Sequence, residues 1–151
     1  MEDYSRDLLF LIHDVARLMR TEGDKRARAH GMTRAQWVIL IWLNRWPGLS
    51  QKEVAEFLEV EPITVARLVD RLEARGMVER RPDPADRRVW RLHLREAAQP
   101  VLDDIAVHKT EMLEMATAGL DPETRRFVVE ALLRMKENIC AERRADVKEI
   151  A

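Results

Sequence analysis

Apolar residues recur at spacings of three and four along the first part of the chain. Leu8, Leu11, Ile12, Val15, Leu18 and Met19 form one stripe at helical pitch, with Arg6, His13, Arg17 and Arg20 opposite. The pattern predicts a long amphipathic helix over residues 5–29, closed by Gly31. Thr33 and Gln36 then have the spacing of a capping box, in which a hydroxyl and an amide each close one orphan N–H. The run from Trp37 to Leu43 is apolar on every side, so the helix it predicts is buried all round. Trp46, Pro47 and Gly48 end it.

Ser50 and Glu53 repeat the capping box and open a short helix over 51–58, with Val54, Ala55 and Leu58 inward. Pro62 suits the first turn of a fourth helix, which runs to Arg75 and stops at Gly76. Two helices joined by a short turn make a helix-turn-helix, here with no glycine among Glu59, Val60 and Glu61. Next, Met77 to Arg81 and Val89 to Leu94 flank a turn rich in Pro and Asp. In the second segment Val89, Arg91 and His93 alternate with Trp90, Leu92 and Leu94, the period of a half-buried strand. The hairpin has a basic tip and completes a winged helix. Helices over 96–118 and 122–145 follow, separated by Gly119 to Pro122. The expected fold is mostly α with a small β-hairpin wing.

Composition narrows the function classes. Of 151 residues, 46% are hydrophobic and 35% charged, enough for a core and consistent with helix. Cys140 stands alone, which excludes an internal disulfide framework and a Cys-rich zinc site. On the stripe that continues Leu132, Met135 and Ile139, it is expected to be a small buried hydrophobe. The acidic start at Glu2 and Asp3 is unlike a signal peptide, and the run from Trp37 to Leu43 is too short for a membrane span. A soluble, cytoplasmic protein without a membrane partner is expected. His13, His30, His93 and His108 show no metal spacing, and no phosphate loop or nucleophile motif occurs. We expect no enzyme and no cofactor.

The net charge of −1 conceals an asymmetry: residues 61–95 carry nine Arg, no Lys and six acids. Thr64, Arg67, Arg71 and Arg75 lie within an arc of about 80° on the fourth helix, opposite Val65, Val69 and Leu72. Only Arg67 has an acid at helical spacing, Asp70. An exposed Arg row on the second helix of a helix-turn-helix suits a major groove, where the guanidinium fork matches guanine or phosphate. Thr64 and Arg67 would meet base edges, Ile63 a thymine methyl, and Arg71 the flanking phosphates. At the wing tip, Arg87 would enter a minor groove and Arg88 support it on the backbone, an assignment that is interchangeable, while Asp86 would orient a guanidinium. The alternative is a winged-helix module whose Arg row meets an acidic protein.

From Met32 to Leu94 the chain resembles the MarR family of bacterial transcriptional regulators. The family's closing signature is present as Leu72-Glu73-Ala74-Arg75-Gly76-Met77-Val78, and its wing Asp-Arg-Arg as Asp86-Arg87-Arg88. Arg95 stands where the family has a capping Thr. The resemblance implies a homodimer, with residues 5–31 and 96–151 as dimerisation helices and 32–95 as a winged helix-turn-helix reading double-stranded DNA at an inverted repeat. Two reading helices set one duplex turn apart call for a palindrome of about 16–20 bp. Repression is the expected outcome. Many relatives release DNA on binding small aromatic acids, and the matching regions here offer His13, Arg17 and Trp37, a tentative clamp for a carboxylate and a ring. Each also has an ordinary place, on a polar helix face or in a core.

Overall fold

The computed structural model describes the backbone of residues 6–149 and the side chains of residues 6–141. The expected helix start at Ser5 and the last two residues, Ile150 and Ala151, lie outside that range. Six helices and one hairpin follow in order: α1 (Leu8–Ala29), α2 (Arg34–Arg45), α3 (Gln51–Leu58), α4 (Pro62–Ala74), β1 (Val78–Pro82), β2 (Trp90–Leu94), α5 (Gln99–Ala116) and α6 (Pro122–Glu149). Contacts group residues 1–111 into one compact unit and 112–151 into another.

Local chemistry sets the helix starts. Both capping boxes form: the Gln36 N–H donates to Thr33 Oγ1 at 3.3 Å and the Thr33 N–H to Gln36 Oε1 at 2.9 Å. The Ser50 N–H donates likewise to Glu53 Oε2 at 2.7 Å. Gly76, at φ +67°, turns the chain out of α4 in the left-handed region, and the Met77 N–H closes on the Leu72 carbonyl. In the second unit, the Asp121 carboxylate accepts the Thr124 N–H at 2.8 Å and starts α6.

The core of the first unit lies under the helix-turn-helix. Ile39, Leu40 and Leu43 of α2, Val54 of α3, Val65, Val69 and Leu72 of α4, and Leu92 of β2 are completely buried together. The hairpin is antiparallel, with Val78 opposite Leu94 and Pro82 opposite Trp90. The Leu92 N–H donates to the Leu49 carbonyl at 2.8 Å, so the segment before α3 edges the sheet.

Several expectations need correction. The outer face of α2 is not buried: Ile41 is exposed, and Trp42 stacks on Trp46 and Phe57 at ring separations of 5.0 and 4.2 Å. Trp90 is 45% exposed, because its partner Pro82 lies at the wing end of the ladder, beyond the core. A 3-10 turn over Glu96–Ala98 precedes α5, and Arg95 makes no side-chain cap there. Cys140 is exposed, as is its neighbour Ile139, since the apolar stripe of α6 is largely uncovered in the single chain. No described helix is long and apolar enough to cross a membrane.

Candidate nucleic-acid interface

On α4 the inward positions are taken by Val65, Val69 and Leu72, which turns Ile63, Thr64, Arg67 and Arg71 to the exposed side. Ile63, a β-branched apolar residue, is 62% exposed. That position is unexplained by packing. Arg67 and Arg71 have no ion pair or side-chain hydrogen bond among the described residues, and the same holds for the guanidinium groups of Arg87 and Arg88 at the wing tip.

The other five Arg of residues 61–95 are occupied. Arg75 donates to the His30 carbonyl at 3.0 Å and ties the end of α4 to the turn after α1, so the row of three expected on α4 reduces to two free cations. Arg81 pairs with Glu79 at 2.5 Å, and Arg95 approaches the same carboxylate at 3.9 Å. The Arg81 bond holds the Glu79 carboxyl below its ordinary pKa. Arg80 binds Glu73, Asp70 at 2.8 Å, Gln51 at 2.7 Å and the Ala66 carbonyl at 3.1 Å. Asp70 therefore does not serve Arg67, the partner its helical spacing suggests.

Arg91 holds the base of the wing. Its Nε donates to Asp83 Oδ2 at 2.6 Å, and its terminal nitrogen reaches Glu53 at 3.1 Å and the Gly48 carbonyl at 3.3 Å. Asp83 also accepts the N–H groups of Ala85 at 2.7 Å and Asp86 at 3.1 Å, folding the tip. Arg91 first, then these backbone donors, hold the Asp83 carboxyl below its ordinary pKa. Glu53 is lowered chiefly by the Ser50 N–H and hydroxyl, with Arg91 adding to it. Asp86 takes the Arg88 backbone N–H at 2.9 Å. Among the described residues Asp86 thus holds the backbone of the tip and no guanidinium, whereas Asp83 holds that of Arg91.

The tentative ligand residues do not converge within the chain. Trp37 is 3% exposed and packs its ring against His30 at 5.6 Å and His108 at 6.4 Å. His30 in turn meets Asp104 at 2.9 Å. His13 and Arg17 stand about 25 Å and 20 Å along the helix from His30. Both are exposed, and Arg17 is paired with Asp14 at 2.6 Å.

The interface missed by sequence reasoning is the set that braces it: Arg80, Asp83 and Arg91. Only Glu53, in its capping box, offered a local signal.

Comparison with known proteins places the fold. The model of the MarR family matches residues 32–90. The HTH-type transcriptional regulator YwoH of Bacillus subtilis (strain 168) is 30% identical over 125 residues, covering 83% of this chain and 90% of that protein. Among solved structures, a MarR-family transcriptional regulator from Silicibacter pomeroyi superposes with a TM-score of 0.80 at 26% identity, over 91% of this chain and 92% of its own. A structure of MarR itself gives 0.80 at 25% identity, over 95% and 97%. A winged helix-turn-helix in a chain so related has its place: this protein belongs to the MarR family of DNA-binding transcriptional regulators.

Proposed function

We propose that the chain acts as a homodimeric repressor on an inverted-repeat operator, with α4 of each protomer in a major groove. Thr64 and Arg67 meet base edges, Ile63 a thymine methyl and Arg71 the bordering phosphate strand. Arg87 enters the minor groove and Arg88 binds the backbone beside it. The observation that carries this reading is the partition of the nine Arg of residues 61–95: four guanidinium groups without partners among the described residues, on α4 and the wing tip, and five paired within the chain, three of which tie elements together. Uncommitted Arg can donate to guanine or phosphate without first breaking a bond inside the protein. Exposed apolar residues along α1 and α6, Leu8 at 60% and Phe127 at 69% among them, support a partner surface. The geometry lends no support to an aromatic-acid site made from His13, Arg17 and Trp37 of one chain.

The test is Arg67→Ala, assayed on a duplex enriched from a random library by the native protein and on a random duplex of equal length. The specific site should lose about 1–3 kcal/mol per half-site, with relaxed preference at one base position. Equal losses on both duplexes would remove base reading from Arg67. No measurable affinity of the native protein for either duplex, even at low salt, would instead favour an acidic protein as the partner.

A further inference from the structure

Asp70 lies three residues after Arg67 and about 60° round the helix from it, within reach of an ion pair. It is taken instead by Arg80, which reaches over from the middle of the hairpin. The Arg80 side chain is only 18% exposed, and three of its remaining donors are held by Glu73, Gln51 and the Ala66 carbonyl. Its backbone N–H also donates to Glu73, at 3.0 Å. A cation immobilised by three other acceptors loses little further freedom on binding Asp70. Arg67, exposed and without partners among the described residues, would have to fix a whole flexible side chain to do the same. The competition for Asp70 therefore goes to Arg80, and it leaves Arg67 open.

We propose that Arg80 is a positioning residue for base recognition: by sequestering Asp70 from the hairpin side, it keeps the Arg67 guanidinium available to DNA. The inference rests on the reading of Arg67 as a base contact. It assigns to a half-buried residue, whose guanidinium is held inside the protein, a share of the specificity. The residue's structural role, bracing β1 to α3 and α4, is separate and is carried by Glu73, Gln51 and Ala66.

The full-length chain tests it through the ratio of affinities for the enriched duplex and the random duplex. The ratio is chosen because a changed net charge acts on both duplexes alike. Four variants are compared with the native protein: Arg67→Ala, Arg80→Gln, Asp70→Asn, and Arg80→Gln with Asp70→Asn. In Arg80→Gln the freed Asp70 should capture Arg67 and lower the ratio by about 2- to 5-fold per half-site. Adding Asp70→Asn should restore the ratio to within about twofold of native, an interaction between sites that a double-mutant cycle isolates. Asp70→Asn alone should leave it unchanged. Should Arg80→Gln fail to fold by far-ultraviolet circular dichroism, Arg80→Lys takes its place, since an ammonium can keep Glu73 but not all four acceptors.

If Asp70→Asn does not rescue the ratio, the loss in the Arg80 variant is structural and the proposal is overturned. If Asp70→Asn alone lowers the ratio, Asp70 contributes to reading and the proposal is overturned as well. An Arg67→Ala ratio equal to native would overturn the base-contact reading itself, together with what rests on it. Loss in Arg67→Ala without rescue in the double variant overturns the sequestration alone.

Discussion

At the scale of single residues, the turn between α3 and α4 carries a conformational cost. Glu59 sits at φ +54°, the one non-glycine residue with positive φ among the described residues. A side chain in that region costs about 1–2 kcal/mol, part of which a glycine would give back through its more flexible unfolded chain. The Glu59 carboxylate also lies at the negative end of the α3 dipole. Glu59→Gly should therefore stabilise the protein by about 0.5–1 kcal/mol, seen as a higher denaturant midpoint at unchanged slope. Glu59→Ala, which keeps the Cβ, should gain clearly less; equal gains would assign the effect to charge. That the turn lacked glycine was plain in the sequence, but Glu59, Val60 and Glu61 were equally placed to absorb the left-handed step. The choice follows from the bond of the Val60 N–H to the Ala55 carbonyl, which only the folded turn shows. Arg80 was hidden for a similar reason. Its acids are seven and ten residues away, and no periodicity links a strand residue to the helix it crosses.

At the scale of elements, the helix starts were legible because a cap is written within four residues, as Thr33 with Gln36 and Ser50 with Glu53 show. The wing was legible only as a hairpin. Alternation marks Leu92 as inward, yet it says nothing about where along the strand the core ends, and so it misplaces Trp90. The pairing of Arg91 with Asp83 and Glu53 closes across that hairpin and back to α3, and it makes the wing's attachment depend on two carboxylates. Both have folded pKa values below their ordinary 3.8 and 4.5. The fold thus favours their charged forms: the contribution is fully present above the ordinary values and fades as pH falls through the lower folded ones. The amide resonances of Ala85 and Asp86 should accordingly hold still from pH 7 to pH 5, then move together with a midpoint below the 3.8 of an ordinary Asp. Arg91→Met should shift that midpoint upward. Movement of the native wing already near pH 6 would mean that these carboxylates do not govern it.

At the scale of the whole molecule, the exposed apolar stripe of α1, with Leu11, Val15 and Leu18, and that of α6, with Leu132 and Ile139, leave more apolar surface than a solitary chain is expected to keep in water. The proposed two-fold dimer then has a consequence that can be measured on DNA, because it makes every contact twice. Arg71 stands one turn after Arg67 on the same face, exposed and without an ion pair among the described residues, and the proposed docking gives it the phosphate strand rather than base edges. A phosphate contact displaces condensed counterions, and each adds about 0.9 to the slope of log affinity against log salt. Arg71→Ala in a dimer should therefore reduce the slope by roughly 1.8, and weaken enriched and random duplexes by similar factors. A reduction of about 0.9 would mean one reading helix per bound species. Light scattering at the same protein concentration would then have to give 17.7 kDa, the mass of a single chain. An unchanged slope would take Arg71 off the DNA altogether. If Arg71→Ala instead lost sequence preference while Arg67→Ala lost only salt slope, α4 would be docked about one turn deeper than its N-terminal residues suggest.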